Sequence, residues 1–165
     1  MGPVMFVRNI LLVLFLIILP GNLFAAVPNL TFTKLSNSTL EPLKTISLKD
    51  LENSKSVLIF WRSDCAPCLR EISMLPDITR NITGLRILLV GLQNINDFRK
   101  HIPANLPENI EITVANNDIN TVLQFFAGDK KSIPLSVALK RTGEFCDKQS
   151  GILTSTKLEK WKESC

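Results

Sequence analysis

"FWRSDCAPCLREI", residues 60–72, sets Cys65 and Cys68 two residues apart, after an apolar run and ahead of a helix-like stretch. The run before it, "SVLIFW" (56–61), is continuously apolar from Val57 on, as expected of a strand buried on both faces. After Cys65, Leu69, Ile72 and Leu75 recur at three-residue spacing on one helix face. A Cys-x-x-Cys pair at such a junction has a definite physical use. The first cysteine meets the unpaired N–H groups and dipole of a helix N-terminus, which stabilise a thiolate. The second lies almost one turn further on, on the same side and within bonding distance. In that reading Cys65 is the exposed nucleophile and Cys68 the thiol that resolves a mixed disulfide. Pro67 falls in the first turn, where no N–H is needed, and stiffens the loop without breaking the helix. Three other readings stay open here: a static disulfide staple, a structural zinc site and a redox-inactive relic. Zinc would want two more ligands close by. His101, the single histidine, reads as a helix-surface residue, and Cys146 and Cys165 are distant in sequence.

The flanking segments alternate between strand and helix patterns. "LTFTKL" (30–35) and "LKTISL" (43–48) form a candidate hairpin, and Ser47 can cap a short helical turn after it. "LRILLVGL" (85–92) is a second buried strand. Asn94 can cap a helix over "INDFRKHI", stopped by Pro103. "NIEITVA" (109–115) is a third extended segment, followed by a helix capped by Asn117 or Asp118 and ended at Gly128. "IPLSVALK" (133–140) and "EFCDKQSG" make a hairpin around Gly143, and Thr154 caps a last helix. Pro76 is expected to kink or end the helix that starts after Cys65. Alternation of this kind implies an α/β fold in three layers, a mixed central sheet flanked by helices with an N-terminal β-hairpin extension.

The chain has 165 residues, of which 45% are hydrophobic and 21% charged, enough for one domain with a real core and unlike a disordered chain. Part of the apolar content is not fold. "ILLVLFLIIL" (10–19) follows Arg8 and precedes Pro20-Gly21 and Phe24-Ala25-Ala26, the pattern of a signal peptide over residues 1–26. An uncleaved N-terminal membrane anchor is the alternative, although ten residues are short for a span of about 20. No cysteine lies near the cut, which argues against a lipid-modified N-terminus. Without residues 1–26 the net charge falls from +4 to +3, too mild to argue for nucleic acid, and no basic stripe with interleaved aromatics occurs. All four cysteines, 65, 68, 146 and 165, lie in the exported part, where disulfides persist.

"FWRSDCAPC" resembles the active-site segment of thioredoxins, and "SIPLSVALKRTGE" (132–144) resembles their second signature. The resemblance covers about residues 30–163 and makes 27–165 a thioredoxin-like domain. It implies that Pro134 is a cis-proline beside the cysteine pair. It implies that Ile133 offers its backbone to an extended substrate, with Ala66 and Pro67 on the substrate-facing surface. Glu71, in "CAPCLRE", resembles the glutamate of exported TlpA-type thiol-disulfide oxidoreductases, including those serving cytochrome c maturation. There it would move protons and raise thiol pKa values; the alternative is a solvated helix-surface residue. Three departures stand out. Asp64 replaces the usual Trp and should oppose the thiolate. Ile59 stands where cytoplasmic thioredoxins bury an Asp. Position 73 is Ser instead of the expected helix proline. Phe60 and Trp61 read as core residues. Cys146 and Cys165 are outside the common pattern, and a structural disulfide between them is expected, with two free thiols or one intermolecular bond as alternatives.

These features imply an exported, periplasmic reductant of partner-protein disulfides. It would need no organic cofactor or metal and would be re-reduced by a membrane electron donor. The rival is a copper or haem-pathway chaperone that binds without turnover. Copper chaperones of this fold use Cys-x-x-x-Cys with a distal His, and this chain has neither.

Overall fold

The structure, a computed structural model, describes residues 29–103 and 106–165. The expectations for residues 1–26 lie outside the described residues. Seven strands form one sheet: β1 (Thr31–Leu35), β2 (Pro42–Ser47), β3 (Ser56–Trp61), β4 (Arg86–Gly91), β5 (Ile110–Ala115), β6 (Leu135–Leu139) and β7 (Phe145–Ser150). Their order is β2-β1-β5-β4-β3-β6-β7. The centre, β5-β4-β3, is parallel, and both flanks are antiparallel. The helices are α1 (Ala66–Thr79), α2 (Ile95–Phe98), α3 (Ile119–Ala127) and α4 (Ser155–Ser164). Among the described residues no helix is long and apolar enough to cross a membrane.

The continuous apolar run of β3 is explained by two cores. Val57, Ile59 and Trp61 pack on one face with Cys68, Ile72 and Leu75 of α1 and Leu158 and Trp161 of α4. Leu58 and Phe60 pack on the other with Val122, Leu123 and Phe126 of α3. Phe60 and Trp61 are both fully buried, as core residues should be. Each such side chain contributes roughly 1.5–3 kcal/mol by leaving water. The N-terminal hairpin is no appendage: β1 pairs antiparallel with β5 and so extends the central sheet. Glu111 on β5 pins it there, taking Lys34 of β1 at 2.8 Å and Arg86 of β4 at 2.5 Å. Burial alone would raise the Glu111 carboxyl, but the two cations hold it below its ordinary range.

Of the two outcomes expected at Pro76, a kink or an end, the end does not occur: Pro76 lies inside α1, which runs on to Thr79. Buried Leu75 and Thr79 hold the last turn to the core, and Thr79 Oγ1 donates to the Leu75 carbonyl at 2.6 Å. The helix predicted over 95–102 is only the short α2 and a 3₁₀ turn at Arg99–His101. Asn94 does cap it, through Asn96 N–H at 3.0 Å. Ile95 and Ile102, its described apolar anchors, are only partly buried, and a helix this short needs a packed face to persist. Of the two candidate caps for α3, Asp118 performs the role, accepting from Thr121 N–H at 3.0 Å.

Candidate active site

The C-terminal end of β3 and the N-terminus of α1 are joined by residues 62–65, each held by a bond. Leu92 N–H, just past β4, donates to the Trp61 carbonyl at 3.0 Å. Cys65 N–H turns back to the Arg62 carbonyl at 3.3 Å. Arg62 forks onto Asp64 with bonds of 2.8 and 2.7 Å. Ser63, between them, is held from β4's side by Gln93. Cys65 is then the N-cap of α1, its Sγ accepting from Cys68 N–H at 3.2 Å. Pro67 lies in the first turn as expected.

Cys65 and Cys68 are joined by a disulfide of 2.04 Å. Cys65 is half-buried, Cys68 is 0% exposed, and Ala66 and Pro67 are exposed. The asymmetry follows from the helix: Cys68 points with Ile72 and Leu75 into the core, while Cys65 stays at the rim. Asp64 is ionised and charged, but Arg62 holds its carboxyl below the ordinary range. Its field at Cys65 is therefore that of an ion pair, not the lone acid the sequence suggested.

β6 runs antiparallel beside β3, with Leu135 opposite Phe60. One further step in that register sets Pro134 across from Trp61, at the edge where the cysteine loop begins. The Ile133–Pro134 bond is cis. Pro134 is buried, and Ile133 is partly buried against both cores.

Glu71 is not a surface residue. It is 0% exposed, one of the buried residues of α1 with Cys68, Ile72 and Leu75. Oε1 accepts from Leu153 N–H at 2.6 Å, and Oε2 has no partner among the described residues. Burial pushes its pKa up to about 7, against the opposing pull of the Leu153 bond. The same short segment reaches the proline loop, since Gly151 N–H donates to the Pro134 carbonyl at 2.9 Å. Gly151 has φ +83°, a conformation that favours glycine. One turn after β7 thus holds both the buried carboxylate and the cis-proline.

The second pair, Cys146 on β7 and Cys165 after α4, is also bonded, with Cα atoms 5.8 Å apart. No described residues form a cluster of three His, Cys, Asp or Glu side chains able to hold a metal ion. His101 belongs to the 3₁₀ turn and lines a polar groove of about 410 Å³ with Arg62, Asp64, Gln93 and Asp97. Sequence reasoning missed Gln93, Arg62 and the Leu153 amide. Gln93 had a signal: it lies two residues past a buried strand parallel to β3, so both strands end at the same edge of the sheet.

With this geometry in view, comparison with solved structures is decisive for the fold. StoA from Bacillus subtilis superposes with a TM-score of 0.58 at 24% identity, over 81% of this chain and 96% of that one. The exposed lipoprotein thioredoxin of Streptococcus pneumoniae gives 0.60 at 20% identity, over 80% and 98%. A secreted thiol-disulfide isomerase from Corynebacterium glutamicum gives 0.61 at 18%, over 82% and 81%. The fold is thioredoxin-like. In that thioredoxin-like frame the Cys65–Cys68 disulfide and cis-Pro134 occupy the edge where β3 and β6 meet. No protein-family model matches the sequence, and no curated protein matches it significantly.

Proposed function

We propose that this chain is an exported thiol-disulfide oxidoreductase that reduces disulfides of partner proteins through the Cys65–Cys68 couple. The observation that carries the reading is the bonded pair of a half-buried Cys65 at a helix N-terminus and a fully buried Cys68, at the sheet edge that also carries cis-Pro134. In the reduced form Cys65 thiolate attacks a substrate disulfide, forms a mixed disulfide and releases one substrate thiolate. Cys68 thiolate then attacks Cys65 Sγ, restores the intramolecular disulfide and releases the second substrate thiolate. Two electrons pass to the substrate, so a reducing partner must return two. A membrane electron donor fits that need outside the cytoplasm. Glu71, half-protonated near neutral pH, is placed on the Cys68 side of α1 to accept and return the proton of the resolving thiol. Ile133, Ala66 and Pro67 form the substrate-facing rim.

Export is supported by the Cys146–Cys165 disulfide, which suits an oxidising compartment, and by the signal-like residues 1–26. The reducing direction is supported by Pro67 between the cysteines and by resemblance to the reductants of cytochrome c maturation. Two measurements test the proposal. The Cys65–Cys68 couple should have a reduction potential clearly below the roughly −120 mV of a strong oxidant. A value near that, or efficient oxidation of a reduced unfolded protein without any donor, makes the chain an oxidase. Cys68→Ser should trap mixed disulfides with partner proteins while Cys65→Ser traps few; equal trapping rejects the assignment of roles.

A further inference from the structure

We propose that Gln93 is a positioning residue for the Cys65 nucleophile, acting through Ser63; the inference rests on the reading of Cys65 as the attacking thiol. Gln93 lies two residues past β4, the strand parallel to β3, and is half-buried. Both ends of its amide bond the same residue. Oε1 accepts from Ser63 N–H at 2.9 Å, and Nε2 donates to Ser63 Oγ at 2.7 Å. Among the described residues, Ser63 has its side-chain and N–H bonds to Gln93, whereas Arg62 and Asp64 fork onto each other across it and Cys65 N–H bonds the Arg62 carbonyl. Removing the Gln93 amide leaves the Ser63 N–H and hydroxyl unpaired in a half-buried loop, which then shifts to hydrate them.

The consequence falls on Cys65 because its place at the N-cap depends on this loop. Its Sγ accepts from Cys68 N–H only while residues 62–65 hold their course from Trp61 to Ala66. A thiolate moved off the helix N-terminus loses the N–H groups and the dipole that stabilise it. The titratable groups near it are Arg62 and Asp64 on the loop, Glu71 on α1, and Asp97, Lys100 and His101 across the polar groove. Replacing Gln93 with an uncharged residue alters none of these charges.

The test is alkylation of Cys65 in the reduced full chain carrying Cys68→Ser, followed from pH 5 to 10, with mass spectrometry assigning the label. Gln93→Met keeps length and flexibility and deletes the amide. We expect its alkylation midpoint to rise and its rate at pH 7 to fall at least about threefold, because small displacements of a reacting atom are costly. Ser63→Ala, which removes only the hydroxyl bond, should give a smaller change in the same direction. Gln93→Met should add less in the Ser63→Ala background than alone, since the two act through one contact. A role confined to stability would lower the melting temperature and leave the midpoint in place. An unchanged midpoint in folded Gln93→Met overturns the proposal. Should that variant not fold, an unchanged midpoint in Ser63→Ala overturns it equally. Reduction of a protein disulfide by the chain with all its cysteines is measured in parallel. If that is absent while the midpoint still moves, the oxidoreductase reading fails and the positioning role stands.

Discussion

Glu71 shows what one buried carboxylate does to a small domain. Its carboxyl is 0% exposed, has one donor in Leu153 and titrates at about 7. That value lies above the unfolded one of 4.5, so the unfolded chain releases this proton first as pH rises. Stability present below about pH 4.5 is therefore lost as pH climbs through about 7, by about 3 kcal/mol. Glu71→Gln should abolish that component. Urea denaturation from pH 4 to 8 should show a falling midpoint in the wild type and a flatter one in the variant. The same substitution should alter the pH dependence of Cys65 alkylation with the fold intact. Identical profiles would return Glu71 to a purely structural role. No acid stands on β3, and Glu71 is the buried carboxylate of α1.

α4 is a short helix whose amphipathic face is narrow, and it is held largely from outside. Thr154 caps it through Lys157 N–H at 3.2 Å, and buried Leu158 and Trp161 dock it on the core. Asp147 on β7 takes Lys157 Nζ at 2.8 Å and Trp161 Nε1 at 2.9 Å on one oxygen. Lys157 first and Trp161 second pull the Asp147 carboxyl down to about 2. A depressed value means stability present above the ordinary 3.8 and lost as pH falls through about 2. The side chain is 42% exposed, so solvent screening limits the charge contribution. Asp147→Asn should cost about 1 kcal/mol at pH 7 and almost nothing below pH 2, read from denaturant midpoints at the two pH values. A loss of equal size at both would show that geometry, not charge, anchors α4. The anchoring bears on the site because the Gly151–Leu153 turn, which bonds Pro134 and Glu71, leads straight into this helix.

Across the whole domain, the two disulfides differ in span and placement. Cys65–Cys68 spans three residues at a partly exposed rim, whereas Cys146–Cys165 spans 19 and closes the chain's end onto β7. A loop of that length contributes about 3 kcal/mol on the loop-entropy estimate. The double variant Cys146→Ser/Cys165→Ser should therefore lose about that much stability while the Cys65–Cys68 couple still exchanges. Denaturation under non-reducing conditions, paired with an exchange assay, checks both halves. Loss of exchange in the folded variant would instead make the second disulfide part of the redox chemistry.

The local signals were legible where a residue's role follows from its neighbours in sequence. Unbroken apolar runs marked β3 and β4 because both faces of each are covered. Cys65-Ala66-Pro67-Cys68 marked a helix start because spacing and proline chemistry are local. Asn94 and Thr154 were readable as caps for the same reason. What could not be read locally depended on who lies across the sheet or under the helix. Glu71 fits a surface pattern as well as a buried one until α1 is laid on β3 and the Leu153 amide arrives from 82 residues away. The hairpin's attachment to β5 depends on register between segments far apart in sequence. That α1 runs past Pro76 to Thr79 depends on the burial of Leu75 and Thr79, and packing is a property of the assembled core. Gln93 acts on a residue 30 positions earlier, and only the parallel pairing of β3 with β4 brings the two together.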